Sequence, residues 1–176
     1  SFYRDNSIDL MLDTQVKGID TTTQTLVLQG RAMRYDMLAL TTGSRARQLP
    51  AAIGGSLAGV YTIRSRTDID ALASEFEPDR HMLVVGGGYI GLEAAAVAIR
   101  RGLKVTVVEY ASRILARVAC AETAGYFREL HRAHGVTLLE GTGVVRLQGE
   151  SRVRSVVLSS GVELHVDFVV AGVGAM

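Results

Sequence analysis

The stretch Leu83-Val84-Val85-Gly86-Gly87-Gly88-Tyr89-Ile90-Gly91-Leu92-Glu93 constrains this chain more than any other. An apolar run with the length of a buried strand stops at three consecutive glycines and passes into an alanine-rich helical pattern. Gly86, Gly88 and Gly91 have the spacing G-x-G-x-x-G. In a dinucleotide site the first glycine permits a tight turn off the strand. The second lets the backbone approach a pyrophosphate, and the third lets the helix pack closely on the sheet. A helix starting near Tyr89 and Ile90 would aim its free N–H groups and positive dipole end at that pyrophosphate. The spacing alone is weak evidence, but its setting is specific. A second strand, Lys104–Val108, leads into an acid, Glu109, at about the 20-residue distance that the fingerprint requires. Glu109 is placed to accept hydrogen bonds from the adenine-ribose hydroxyls. A 2′-phosphate there would meet a like charge, so NADH is favoured. The plain alternative is a solvated carboxylate at a strand end.

Charge and composition narrow the classes further. A net charge of +1, with no basic run, gives no electrostatic case for nucleic acid. Apolar residues make up 48% of the chain, ample for a core, yet no run approaches the ~18 residues needed to span a bilayer. The chain opens on polar residues with no signal-peptide core. One cysteine, Cys120, cannot form an internal disulfide, which fits a reducing cytoplasm. There is no Cys-x-x-Cys and no zinc spacing, and no metal site is expected. His131 and His134 read as helix-surface residues.

Before the glycine loop, Ile8–Leu12, Gln15–Ile19, Thr25–Leu28 and Met37–Leu40 are candidate strands, with a hairpin turn at Asp20-Thr21-Thr22-Thr23. Leu49-Pro50 and Gly54-Gly55 mark a loop. Asp68–Phe76 is a predicted helix with Ser65 and Asp68 spaced as a capping box. Beyond Glu109, a helix over Ala121–Ala133 stops at Gly135, and a strand follows at Val136–Leu139. Gly143–Leu147 and Arg152–Leu158 read as a hairpin, and Phe168–Ala171 as a last buried strand.

The chain also repeats itself. Leu28-Gln29-Gly30 followed by Tyr35-Asp36 and Thr42-Gly43 is echoed by Leu158-Ser159-Ser160-Gly161, Val166-Asp167 and Val173-Gly174. The Gly-to-Asp-to-Gly spacings agree in both copies. A period this long points to two related units, not a solenoid. Each copy reads as the back half of a nucleotide-binding domain: a β-meander, then a strand delivering glycines to the ligand. Only the second copy has its front half, Met82–Leu139, so the first is expected to have its own glycine loop upstream of Ser1, the chain being part of a longer protein.

These features resemble the FAD-dependent pyridine-nucleotide oxidoreductases, and within them the NADH-dependent ferredoxin or rubredoxin reductase branch. The likeness is carried by Tyr35–Gly43, Gly86–Glu93, Arg113–Val118, His131–Val136 and Asp167–Gly174. It implies an α/β fold: a Rossmann-like, three-layer NAD-binding domain, with a central parallel sheet plus a β-meander, inserted in a partial FAD-binding domain. Residues 1–65 would be the β-rich second half of the FAD domain and 66–165 the NAD domain. Residues 166–176 would form the last strand and the start of the return.

The resemblance also implies roles. Glu93 would lie in the first turn of the phosphate-binding helix, near the nicotinamide carboxamide, although an acid there also stabilises a helix start. Arg117 would contact the adenine end of NADH with Arg113 beside it; exposed arginines after strands are also common. Thr42, Gly43 and Arg47 would sit around the FAD, or form an ordinary turn. Gly172 and Gly174 would approach the nicotinamide half through their backbone. No acid–base catalyst is expected, because hydride and electron transfer belong to the cofactors NAD and FAD. The implied activity passes electrons from NADH through FAD to an iron–sulfur carrier, a ferredoxin or rubredoxin, with this stretch alone inactive. The alternatives are an NADH oxidase or thiol–disulfide reductase of the same superfamily, or a stand-alone NAD-binding module.

Overall fold

The computed structural model describes residues 2–176. The chain divides into two compact units, one ending at Gly43 and the other running Ser44–Met176.

The first unit opens with a single helical turn, α1 (Phe2–Asp5). An antiparallel sheet follows, built in order from β1 (Val16–Asp20), β2 (Thr25–Leu28) and β3 (Arg31–Arg34). The β1–β2 turn forms as the sequence predicts: Asp20 Oδ1 accepts the N–H groups of Thr22 and Thr23 at 2.9 and 3.1 Å. Leu26 and Leu28 are its buried residues. Two of the expected strands are absent. Ile8–Leu12 and Met37–Leu40 are irregular, and the polar segment Arg31–Arg34 supplies the third strand instead. Strand formation here follows the available ladder. The tight turn at Gln29-Gly30 folds Arg31–Arg34 directly back on β2, whereas the two apolar runs have no partner strand within the unit.

The second unit is a three-layer α/β structure around a five-stranded, all-parallel sheet of order β4-β11-β5-β6-β7. Its elements are β4 (Val60–Thr62), α2 (Arg66–Leu72), β5 (His81–Val85), α3 (Tyr89–Arg100), β6 (Lys104–Glu109), α4 (Ala121–Ala133) and β7 (Thr137–Glu140). The meander β8 (Val144–Gln148), β9 (Ser155–Leu158) and β10 (Glu163–His165) comes next, and β11 (Phe168–Ala171) closes the sheet. Alternate residues of each central strand feed two cores. Met82, Val84, Val107, Phe168 and Val170 pack with Ala94, Ala95 and Ala98 of α3 on the helix side. Leu83, Val85, Val108 and Val169 pack with Leu147, Val156 and Leu158 of the meander on the other. Strands buried on both faces lose polar–apolar alternation, which is why β5 and β11 read as continuous apolar runs. Burying a side chain such as Phe168 completely contributes roughly 1.5–3 kcal/mol.

The capping box is present: Asp68 N–H donates to Ser65 Oγ and Ser65 N–H to Asp68 Oδ2. Helix α2 ends at Leu72, however, and a 3-10 turn at Ala73–Glu75 replaces its predicted last turn. Strands β4 and β10 were not expected. Each is only three residues long; β4 shows no apolar alternation, and the alternation over residues 162–166 around β10 is too short to mark a strand in isolation. The repeat has a structural counterpart, since both units carry a three-stranded antiparallel meander with a register irregularity in the first strand. Among the described residues no helix is long and apolar enough to cross a membrane.

Candidate functional site

A cavity of about 770 Å³ opens in the second unit beyond the carboxyl ends of β5, β6 and β11. Crevices at this end of an open parallel sheet are where such folds bind ligands. Its floor is the loop Gly86–Gly88 and the start of α3. Gly86 has φ +107°, a conformation that L side chains avoid, and so turns the chain sharply off β5. A Cβ on Gly91 would collide with the Gly86 carbonyl oxygen, so this glycine sets how closely α3 packs on the loop. Gly88 is different. A Cβ added there would meet no protein atom within 4 Å, so the space above it is open. Gly88 is also the N-cap of α3 and offers no side-chain cap, while the first helical hydrogen bond runs from Leu92 N–H to the Gly88 carbonyl. The preceding N–H groups have no acceptor within the helix. Such an end suits an anionic oxygen and fits a dinucleotide pyrophosphate.

Glu109 closes one side. Its Oε2 accepts the Gly87 N–H and its Oε1 the Ala111 N–H, each at 2.7 Å. The carboxylate is thereby fixed against the glycine loop, with further lone pairs on both oxygens available to a ligand hydroxyl. The wall beyond it is the loop 110–119, tied down at several points. Leu115 N–H donates to the Gly87 carbonyl at 2.9 Å, and Leu115 itself is buried in the left-handed region at φ +53°. Ile114 N–H donates to Glu140 Oε1 at 2.8 Å. Arg128 of α4 grips the same carboxylate with Nε and a terminal nitrogen at 2.7 and 2.9 Å. Burial pushes the Glu140 carboxyl up, but the Arg128 hydrogen bonds, the Ile114 N–H and the positive charge outweigh it and hold the group below its usual range.

Gly86, Gly88, Tyr89, Ile90, Glu109, Arg117, Gly172 and Gly174 all line this one cavity. Gly91 lies beneath the loop and packs there. Arg117 is exposed, and one guanidinium nitrogen comes within 3.9 Å of where a Gly174 side chain would begin. The Arg113 guanidinium turns to its own loop, donating to the Ile114, Ala116 and Ala119 carbonyls. Glu93 is exposed and outside the cavity lining. As the fifth residue of α3 it lies past the first turn, because Gly88, still extended, delays the start of the helix to Tyr89. Thr42 and Gly43 end the first unit. Arg47, in the second, is exposed and donates its backbone N–H to the Gly174 carbonyl at 2.9 Å. Among the described residues no group of three or more His, Cys, Asp or Glu side chains could hold a metal.

Sequence reasoning passed over Glu140, Arg128 and Tyr110, the last an 86%-exposed ring on the cavity wall. A signal for Glu140 was available: Leu138-Leu139-Glu140 repeats the strand-then-glutamate ending of Val107-Val108-Glu109.

Residues 2–176 match the pyridine nucleotide-disulphide oxidoreductase family. The chain is similar to a ferredoxin–NAD(P)+ reductase of Sphingomonas, with 40% identity over 99% of this chain and 42% of the relative. It is also similar to the chloroplastic monodehydroascorbate reductase 5 of Oryza sativa subsp. japonica, with 36% identity over 99% of this chain and 36% of that protein. Among solved structures, the covalent putidaredoxin reductase–putidaredoxin complex superposes with a TM-score of 0.86 at 36% identity, covering 99% of this chain and 43% of that one. The chain thus spans about two fifths of the length of the proteins it matches. Matched along almost its whole length, it belongs to the pyridine nucleotide-disulphide oxidoreductase family.

Proposed function

We propose that this chain is the NADH-binding part of a flavoprotein reductase that passes electrons to an iron–sulfur carrier, a ferredoxin or rubredoxin. The single observation that carries the nucleotide reading is the placement of Glu109. Its carboxylate is fixed beside an uncapped helix N-terminus and an open Gly88, so one cavity offers partners for both a pyrophosphate and a ribose. In this reading Gly86, Gly88, Tyr89 and Ile90 hold the pyrophosphate and Glu109 the adenine ribose. Arg117 adds positive charge along the cavity, and Gly172 and Gly174 shape the nicotinamide end. Glu93 lies on the outer side of the same helix.

Thr42, Gly43 and Arg47 belong to the flavin half of the reading. Residues 1–65 are then a second part of a flavin domain that also lends β4 to the parallel sheet. Residues 66–165 are the nucleotide domain, and 166–176 its last strand and the return; the matched meanders of the two units support a pair of related domains, while residues 44–65 cluster with the second unit. Thr42, Gly43 and Arg47 would help hold a flavin, which when bound would supply the hydride and single-electron chemistry. The residues of this chain bind and orient the nucleotide. The carrier is inferred from the relatives that are reductases of ferredoxin and putidaredoxin. The monodehydroascorbate reductase supports a second acceptor class, an organic radical. An oxidase or thiol–disulfide reductase is not favoured by these relatives. The lone cysteine supports a cytoplasmic setting.

The test is NADH-dependent reduction of a [2Fe–2S] ferredoxin, a rubredoxin, monodehydroascorbate and oxygen by the complete protein. Fastest turnover with an iron–sulfur carrier is expected. Turnover confined to the radical or to oxygen would overturn the carrier assignment.

A further inference from the structure

The wall of the nucleotide cavity is held from outside it. Loop 110–119 carries Arg117 to the cavity, and its conformation is set at residues 114–115, where two consecutive N–H groups find acceptors in different elements. Ile114 N–H goes to Glu140 at the end of β7, and Leu115 N–H goes to the glycine loop. Leu115 makes the second bond from the left-handed region, which a residue other than glycine adopts only at a cost. That conformation persists only if neighbouring bonds enforce it. Within the loop, Val118 and Ala119 N–H donate to the Leu115 carbonyl and Arg113 holds the Ile114, Ala116 and Ala119 carbonyls; from outside it, Glu140 takes the Ile114 N–H. Glu140 is itself gripped by Arg128 through two nitrogens, a planar fork that fixes the carboxylate in orientation as well as place. Arg128 lies on α4, and neither it nor Glu140 lines the cavity. Arg117 follows two residues after Leu115, and among the described residues its guanidinium has no hydrogen-bond or ion-pair partner. The backbone of the loop therefore decides where this side chain starts and which rotamers reach the cavity.

We propose that Glu140, clamped by Arg128, is a positioning residue for the nucleotide site, acting through the loop that presents Arg117. This rests on the NADH reading and deepens it. The pair touches no ligand, and its effect on affinity is transmitted through residues 114–117.

A double-mutant cycle tests this. NADH and ADP-ribose are titrated calorimetrically into the complete protein as the unaltered form, Glu140→Ala, Arg117→Ala and the double variant, with melting temperatures recorded for each. Glu140→Gln replaces the alanine variant throughout if the latter does not fold. Glu140→Ala should weaken both ligands about tenfold in the unaltered background and less than about threefold once Arg117 is alanine, because residues acting through one another are non-additive. ADP-ribose, which lacks nicotinamide, should lose as much as NADH. Unchanged affinity in the Glu140 variant, or losses that simply multiply in the double variant, would overturn the proposal. Failure of the unaltered protein to bind NADH is a different result: it removes the nucleotide reading, and this inference with it.

Discussion

Glu109 and Glu140 are register partners at the carboxyl ends of adjacent parallel strands, and both carboxylates accept N–H groups from the loop 110–119. Two like charges side by side would repel, and the structure separates their duties. Arg128 pairs with Glu140, while Glu109, which has no arginine partner among the described residues, takes the glycine loop. One carboxylate is thereby structural and the other is left as the negative charge of the cavity.

The two loop glycines should respond differently to alanine. Gly91→Ala drives a methyl group into the Gly86 carbonyl, where backbone must move. Overpacking of this kind costs about 1–3 kcal/mol, read as a lower denaturation midpoint. Gly88→Ala meets no protein atom, and φ is already −84°, so stability should change by less than about 1 kcal/mol while NADH affinity falls. Equal destabilisation by both would contradict the assignment of Gly88 to ligand space.

A buried carboxylate ties the sheet to the meander at Glu75, which accepts from the Tyr61 hydroxyl and from Arg152 and pairs with Arg80. Both arginines retain some contact with water, so Glu75→Ala should sit at the low end for a broken buried pair, about 3 kcal/mol. Urea denaturation of the variant checks this.

Acid sensitivity should come in two stages. His131, expected on the helix surface, is buried on the inner face of α4, and burial holds its imidazole and that of His81 below their ordinary value of 6.5. The unfolded chain then binds protons that the native chain resists, so stability present above about pH 6.5 is lost as pH falls through the lowered folded values. Burial raises the Glu75 and Glu140 carboxyls, but their arginine, N–H and hydroxyl partners outweigh it and set both below 4.5. Their contribution is present above about pH 4.5 and is lost as pH falls further, through the depressed values. Glu75→Gln should flatten the lower stage and leave the upper one intact, measured as denaturation midpoint against pH.

The parts of this architecture that were legible in the sequence are those whose signals are local. The strand–glycine–helix unit at Leu83–Glu93, the acid at Glu109, the capping box at Ser65 and the helix Ala121–Ala133 each carry their pattern in adjacent residues. What was illegible depends on partners distant in sequence. Val60–Thr62 becomes a strand because β11 lies beside it, whereas Ile8–Leu12 pairs with no strand of its unit. Glu140 reads as one more strand-end acid until the fold brings Ile114 and Arg128 to it. The orientation of Arg113 toward its own carbonyls likewise follows from a loop shape that no short-range pattern encodes.

Nucleotide choice tests the central claim most directly. NADH and NADPH are titrated calorimetrically into the unaltered protein and Glu109→Ala. The unaltered form should prefer NADH by roughly 10²-fold, a few kcal/mol at about 1.4 kcal/mol per tenfold, since a 2′-phosphate is repelled by the Glu109 carboxylate and forfeits a hydroxyl hydrogen bond. In Glu109→Ala the NADH affinity should fall and the preference shrink. Equal affinities in the unaltered protein, or a preference that survives the substitution undiminished, would contradict the assignment of Glu109 to the ribose.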